Sequence, residues 1–472
     1  MADTVKLIID DVEYEVPAGI NLVDAAKWIG TDIPVFCYHP KMAPVGMCRM
    51  CLVEMGTLLK NKETGLVEID ANGKPQVRWN PKLQTACTSI VSDGLVIRTS
   101  TPVVDDARRN VIEFLLTSHP LDCPICDKGG ECPLQNLTME YGPGASRMVL
   151  EDKLQLDKHV PLGDLIYLDE ERCIQCARCI RFESEIAGDD VLAFHERGRA
   201  LQIITVGDPA FDSYFSGNTT DICPVGALTT ADFRFEARPW ELTNVPSICP
   251  HCPVGCNTTL STRLDRDAGG RSIIKRVMPR QNEEVNEIWI CDKGRFGHHF
   301  TRSTMRLMEP KVNGKTAAWQ DVYKAMTERL QAVGGDVAAI AGSGMSNEDL
   351  WALRKLVEGL GGSRLGAWAP THAGADLVAQ VGVGAGTNLS GLGKGDAVLV
   401  IASDLEEEAP VWRLRIKQAR DRGAYVVVAN ARQTRMDAFA SLQVRYPYGD
   451  AVSFLSDIRQ HNAELAQKLA GS

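Results

Sequence analysis

Cys173-Ile174-Gln175-Cys176-Ala177-Arg178-Cys179, with Cys223-Pro224 as a distant fourth position, is the stretch on which the fold of this chain turns. Cysteines at i and i+3 project from one side of a turn, so the run offers three corners of a cubane and the Cys-Pro closes it. That is a strong [4Fe-4S] signal. In the two-cluster bacterial run a further Cys-Pro follows after three residues. Here that stretch is Ile180-Arg181-Phe182-Glu183, so one cluster is expected in this region.

The surrounding cysteines extend the pattern. All fifteen lie between Cys37 and Cys291, and with His119 they divide without remainder into four sets of four; the last 181 residues contain none. In a reducing compartment such crowding points to metal chemistry rather than to disulfides. The first set is Cys37, Cys48 and Cys51, closed by Cys87 after 35 residues. Four thiolates suit a [2Fe-2S] cluster, and Gly46 is expected to let the loop backbone approach the sulfurs, although the spacing departs from the plant-type C-x4-C-x2-C. The second set is His119, Cys123, Cys126 and Cys132, among Pro124, Gly129, Gly130 and Pro133. A neutral imidazole in place of a thiolate would raise the reduction potential, while burial acts the other way. The fourth set is Cys249, Cys252 and Cys256, closed by Cys291 after 34 residues. Structural zinc is the alternative for any set taken singly; four sets in series, one of them cubane-like, favour iron-sulfur for the ensemble.

Composition sets limits on the rest. A chain of 472 residues suggests three to five domains, and 44% hydrophobic and 24% charged residues are globular values. Gly 41 and Pro 23 imply many turns. A net charge of −10 disfavours a nucleic-acid binder, which needs a basic face. The N-terminus runs straight into a strand-like alternation without the basic-then-apolar layout of a signal peptide, so a cytoplasmic location is expected. No apolar run approaches the ~20 residues that span a bilayer, and membrane association is expected only through partners.

Residues 5–16 are expected to form a hairpin turning at Asp10-Asp11, followed by a helix capped by Asn21 and ended at Gly30, a β-grasp pattern. Residues 56–81 are expected to be an exposed hairpin inserted before Cys87, with Asn72-Gly73 at its turn. A helix from Asp105, carrying Val111, Ile112, Phe114 and Leu115 up to Ser118, is expected to deliver His119 at its end. Compact regions over about 150–230 and 240–298 follow, each organised around its own cysteines. Strands at 337–341, 397–402 and 424–429 with helices at 347–360 and 411–422 give an α/β layer with parallel crossovers.

The residues that surround the cysteines carry a resemblance. Cys37-Tyr38-His39-Pro40, Gly46-Met47-Cys48-Arg49-Met50-Cys51-Leu52-Val53-Glu54, His119-Pro120-Leu121-Asp122-Cys123-Pro124 and Trp289-Ile290-Cys291-Asp292-Lys293-Gly294-Arg295-Phe296-Gly297 together resemble the large iron-sulfur subunit of bacterial NADH:quinone oxidoreductase, respiratory complex I. The resemblance covers roughly residues 1–300. It implies a [2Fe-2S] cluster on Cys37, Cys48, Cys51 and Cys87, and three [4Fe-4S] clusters. Their ligands would be His119, Cys123, Cys126 and Cys132; Cys173, Cys176, Cys179 and Cys223; and Cys249, Cys252, Cys256 and Cys291. The last set matches a site found in only some bacterial members, generally off the main electron path.

The implied fold class is α+β and multidomain: a β-grasp [2Fe-2S] ferredoxin-like domain (1–104), a [4Fe-4S] module with one His and three Cys ligands (105–149), a [4Fe-4S] ferredoxin-like module (150–238), a [4Fe-4S] domain of molybdopterin-oxidoreductase type (239–300), and a shortened α/β molybdopterin-oxidoreductase-like domain (301–472). The implied role is an electron-transfer subunit of the NADH dehydrogenase complex, with no catalytic residue of its own. Its partners would be the flavin- and NADH-binding subunit and other iron-sulfur subunits of the peripheral arm, on the inner face of the cell membrane. The implied electron order is the Cys37 cluster, the Cys173 cluster, then the His119 cluster.

The same N-terminal modules occur in iron-only hydrogenases and NAD-linked formate dehydrogenases, whose iron-sulfur subunits are the alternative. A catalytic molybdenum or tungsten enzyme and a zinc-stabilised scaffold are the readings from other classes. Against a catalytic centre, Cys291 is the last cysteine. Asp396–Val400 and Arg445–Asp450 resemble faded strand and loop motifs of the molybdopterin fold; no molybdopterin is expected, and residues 301–472 are expected to be a structural remnant. Gly382-Val383-Gly384-Ala385-Gly386 lacks the frame of a dinucleotide site, and Lys394-Gly395 lacks the Ser or Thr of a P-loop. His251, His298 and His299 are expected to pack rather than ligate. The acidic run from Asp404 to Glu408 is expected to be a solvated helix start. Loop-rich regions up to Cys291 are expected to unfold locally when iron is removed.

Overall fold

The computed structural model describes residues 3–70, 73–266, 268–342, 344–368, 389–455 and 467. The Gly-rich stretch 382–386 and Asn72 lie outside the described residues. The chain forms two compact units, Met1–Thr243 with Ser261–Arg263, and Asn244–Leu260 with Leu264–Ser472.

In the first unit, alternating residues form β1 (Thr4–Ile9) and β2 (Val12–Pro17), an antiparallel hairpin. Asp10 and Asp11 both take positive φ, +49° and +65°, the conformation that matches a two-residue turn to the twist of its strands. The helix α1 (Leu22–Trp28) follows. Asn21 caps it by accepting from the amides of Val23 at 3.0 Å and Asp24 at 3.1 Å.

The next strands are β3 (Leu52–Leu58), β4 (Val77–Trp79), β5 (Gln84–Thr85) and β6 (Leu95–Arg98). The sheet order is β2-β1-β6-β3-β4, with β1 and β6 parallel and β5 paired to β3. This corrects the expected insert at 56–81. A hairpin is present, but its first strand starts at Leu52 and lies inside the sheet between β6 and β4, because Val53 is wholly buried in the core. That core joins Leu7, Ile9, Val16, Leu22, Ala25, Ala26, Ile33, Val53 and Ile97 to Cys51 and Cys87. Burying each large aliphatic side chain here is worth roughly 1.5–3 kcal/mol.

Helix α2 (Pro102–Leu116) starts three residues before the expected Asp105, because Thr101 caps the Val104 amide at 3.3 Å and Pro102 fills the first turn. It ends before His119 rather than carrying it. Its buried residues are Val104, Arg108 and Ile112, whereas Phe114 is 77% exposed. Arg108 donates to the Leu52 carbonyl at 3.4 Å and lies over the ring of Tyr141, in α3 (Pro133–Tyr141).

Short strands β7 (Val160–Pro161), β8 (Ile166–Leu168), β9 (Leu192–His195), β10 (Gln202–Thr205) and β11 (Leu228–Thr230) form two small sheets, β11-β8-β7 and β10-β9. They hold helices α4 (Arg178–Arg181) and α5 (Asn218–Ile222) between them in sequence.

Further along the chain, β12 (Thr243–Ile248), β13 (Asn257–Asp265) and β14 (Arg271–Pro279) make a three-stranded sheet, followed by α6 (Asp292–Phe296). Beyond it lie two parallel sheets. One pairs Ala338–Gly342 with Arg364–Trp368; the other runs Ala397–Ile401, Tyr425–Ala429 and Leu442–Val444. Val426, Val427, Val428 and Ala429 are fully buried, as expected of a central parallel strand. The helix Pro410–Asp421 supplies Arg415, which pairs with Glu287 at 2.7 Å. The acidic run is not solvated throughout: Glu406 is 4% exposed and meets Arg413 at 3.2 Å and Arg435 at 3.2 Å. Buried arginines need counter-ions, and that run provides them.

Candidate metal centres

All fifteen cysteines are free thiols. Around Cys37, left-handed φ at Gly46 (+63°) and Arg49 (+61°) curls the loop so that the Cys48 amide points at Cys37 Sγ, 3.5 Å away. Gly46 serves through this φ; a Cβ there would meet Thr88 at 3.3 Å rather than a sulfur. Tyr38 anchors the loop, donating to Asp24 at 2.6 Å while Asn21 donates to its hydroxyl at 3.0 Å. The four sulfurs crowd together. Cys48 and then Cys87 donate to Cys37 and hold it well below the ordinary thiol range, while Cys48 and Cys87 are themselves pushed up. A metal centre would replace these shared protons, since cluster ligands are thiolates.

Around Cys173, left-handed φ at Gln175 (+55°) and Ala177 (+61°) turns the loop, and the Gln175 amide lies 3.4 Å from Cys173 Sγ. Burial raises all three thiols of the run, Cys176 to about 12; next to burial the Gln175 amide lowers Cys173, whereas Cys223 and Cys176 respectively raise Cys176 and Cys179 further. Cys223 ends α5 beside them.

His119, Cys123, Cys126 and Cys132 line one cavity of about 620 Å³ together with Arg172, Gly226 and Trp240. Burial first, then Lys153 and Arg172, lowers His119 to about 4, so the imidazole is neutral. Its Nδ1 is buried without a hydrogen-bond partner. A neutral ring with an orphaned nitrogen fits a cluster or metal ligand. Cys123 alone of the set is exposed.

In the second unit, burial raises the thiols of Cys249, Cys256 and Cys291, the last to about 12, and neighbouring thiols of the set add to the rise in each. The Cys249 amide donates to the Cys256 carbonyl at 2.9 Å and the Gly294 amide lies 3.4 Å from Cys291 Sγ. A Cβ on Gly294 would sit 3.2 Å from Cys249 Sγ, so glycine keeps this sulfur lined by backbone. His298 is buried and stacked on His299 with ring centroids 4.6 Å apart, and His251 meets Phe300 edge-on at 6.2 Å.

The spatial order within the first unit differs from the order in sequence. Between the Cys37 and Cys173 loops, Arg178 donates to the Tyr38 carbonyl and to that of Ile222 at 3.1 Å. Arg181 donates to the Cys37 and Ala43 carbonyls, and the Ala43 amide donates to Glu185 at 2.8 Å. Between the Cys173 and His119 sets, Cys132 Sγ lies 3.8 Å from the Pro224 carbonyl oxygen. A Cβ on Gly226 would fall 2.1 Å from Cys126 Sγ. Arg172 meets Asp122 at 2.9 Å and Asp169 at 3.1 Å, and Lys158 meets Asp122 at 2.7 Å. The Cys173 loop therefore stands between the other two. Sequence reasoning missed Arg172, Arg178, Arg181 and Gly226, although three arginines interleaved with the cysteines of one motif were a visible signal.

Comparison with known proteins matches the cysteine-bearing segments to iron-sulfur families. Residues 2–102 match the family model of a 2Fe-2S iron-sulfur cluster binding domain, and 108–147 match that of the NADH-ubiquinone oxidoreductase-G iron-sulfur binding region. Residues 163–229 match the ferredoxin-like domain of NADH-quinone oxidoreductase subunit 3. The molybdopterin oxidoreductase Fe4S4 domain and the molybdopterin oxidoreductase family match 242–303 and 306–448. Fold and sites thus define an iron-sulfur protein with 2Fe-2S and 4Fe-4S binding regions.

The G-type subunit of NADH-quinone oxidoreductase from Streptomyces coelicolor is 38% identical over 444 residues, 88% of this chain and 49% of that protein. NADH-quinone oxidoreductase subunit 3 of Thermus thermophilus is 39% identical over 431 residues, 88% of this chain and 53% of that protein. The chain is similar to these NADH-quinone oxidoreductase subunits over 88% of its own length and spans about half the length of the curated relatives it matches. A chain from a crystal structure of an NAD+-reducing [NiFe]-hydrogenase aligns at 25% identity and a TM-score of 0.40, covering 49% of this chain and 90% of that one, a likeness too slight to argue from.

Proposed function

We propose that this chain is the electron conduit of an NADH:quinone oxidoreductase: it takes electrons from a flavin-bearing, NADH-oxidising subunit and hands them to another iron-sulfur subunit on the way to quinone. It would hold one [2Fe-2S] cluster on Cys37, Cys48, Cys51 and Cys87. Three [4Fe-4S] clusters would be held by His119, Cys123, Cys126 and Cys132, by Cys173, Cys176, Cys179 and Cys223, and by Cys249, Cys252, Cys256 and Cys291. The domains would run 1–104, 105–149, 150–238, 239–300 and 301–472, with no pterin in the last. Among the described residues no helix is long and apolar enough to cross a membrane. The chain would sit peripherally on the cytoplasmic face through its partners.

The observation that carries this reading is the arrangement of three ligand sets in one unit, with the Cys173 loop between the other two. Bound clusters supply one-electron transfer without bond chemistry. The chain's residues fix the separations, keep most of the sulfurs from water and point backbone amides at Cys37, Cys173 and Cys291. Such amide contacts favour the reduced state and shift potentials, about 59 mV for each tenfold change in a one-electron equilibrium.

Iron and sulfide analysis with EPR of the reduced protein tests it: about fourteen iron per chain, one binuclear and three cubane signals, and no stoichiometric molybdenum or tungsten are expected. A colourless protein with about four zinc and no acid-labile sulfide would sink it.

A further inference from the structure

Three arginines surround the Cys173 loop, and they differ in what balances their charge. Arg172 has Asp122 and Asp169 at 2.9 and 3.1 Å. Arg181 has Glu185 at 3.1 Å. Arg178 pairs with no carboxylate among the described residues. Its Nη1 and Nη2 donate to the carbonyls of Ile222 and Tyr38, and its Nε–H is buried without an acceptor. Burial works against its charge, and the groups that support the charge are, in descending order, Cys176, Cys223, Cys37 and Cys48. Two belong to the Cys173 set and two to the Cys37 set. A guanidinium stays ionised in a protein, so its counter-charge has to come from its surroundings, and here those are the sulfurs of two sites.

We propose that Arg178, held between the Tyr38 and Ile222 carbonyls, is the shared counter-ion of the Cys37 and Cys173 centres and raises the reduction potential of both. This rests on both sites holding iron-sulfur clusters. Reduction adds one negative charge to a centre, and a fixed cation beside it stabilises that charge. Because one cation faces both centres, an electron on either weakens the field it offers to the other. Arg172 and Arg181, each neutralised by carboxylates, contribute less. Arg178 is largely but not wholly buried, so water screens part of its effect.

The test is an EPR-monitored redox titration of the full chain, wild type beside Arg178→Gln, Arg178→Met and Arg178→Lys, with iron and sulfide counted in each. The neutral variants should lower the reduced-to-oxidised ratio of the Cys37 and Cys173 centres about tenfold at a fixed ambient potential, a shift of about 59 mV. The His119 and Cys249 centres should not move. Lysine keeps the charge but cannot bridge two carbonyls, so R178K should retain the wild-type potentials. Neutral variants with intact centres and unshifted potentials, a shift in one centre only, or an equal shift in R178K would each overturn the proposal. If both neutral variants fail to load, R178K decides: unchanged potentials uphold it and a tenfold shift overturns it. Wild-type protein lacking a binuclear signal would instead overturn the functional reading beneath it.

Discussion

The Cys37 domain and the His119 module stand side by side in one unit and are built on opposite terms. The first has a hydrophobic core of its own, and Cys51 and Cys87 are two of its members. The second, between α2 and α3, buries little beyond Ile112, Cys126, Cys132 and Leu134, and leaves Phe114, Leu121 and Met139 largely exposed. One is a folded domain that offers a site. The other is a site that its ligand would finish folding, because a loop-rich segment without a core draws its stability from metal binding. The expected local unfolding up to Cys291 on iron removal is therefore proposed to be strongest in the second and weakest in the first, which has its own core.

Removing iron should separate the two most sharply. Hydrogen exchange on chelated protein should show amides from 119 to 141 losing protection by orders of magnitude, while β1, β3 and β6 stay protected within a fewfold. Uniform loss across both would erase the distinction. Next in size is Gly226→Ala, which forces a Cβ onto Cys126 Sγ. About four iron should be lost with the His119 signal gone, and the binuclear signal should persist; full iron content in that variant would contradict the geometry.

Leu22→Ala, at a fully buried position, should cost the Cys37 domain about 3 kcal/mol in denaturant unfolding followed by a probe in that domain. The His119 signal should survive it. Smallest is the pair of helix caps. Thr101→Ala should cost about 1 kcal/mol, and Asn21→Ala somewhat more because it also releases Tyr38. Equal costs for the two would mean the Tyr38 contact contributes nothing.

Local signals were readable in the sequence where chemistry is local. The Asp10-Asp11 turn and the Asn21 cap depend on residues close in sequence, and the parallel C-terminal strands announce themselves by their own apolar runs. Thr101-Pro102 was an equally local start signal and went unread. What spacing could not reveal depends on distant partners: β3 lies inside the sheet because β6 pairs with it, and Arg181 reaches the Cys37 carbonyl across 144 positions. Gly226 is unremarkable until the fold lays it on Cys126. Arg49, Gln175 and Ala177 adopt left-handed φ without being glycine, so nothing in their identity marks the turns they make.

The two gaps on either side of the Cys173 loop are set by different means. From Cys223 to Gly226 the backbone advances three residues, and such a length of chain spans at most about 11 Å however it moves. Cys223 faces one site and Gly226 walls the next, so the second gap has a covalent ruler that thermal motion cannot stretch. Across the first gap the described links are hydrogen bonds between side chains and backbone, and these yield to substitution and temperature. Evolution can retune the first spacing one residue at a time, whereas the second changes only by inserting or deleting a residue.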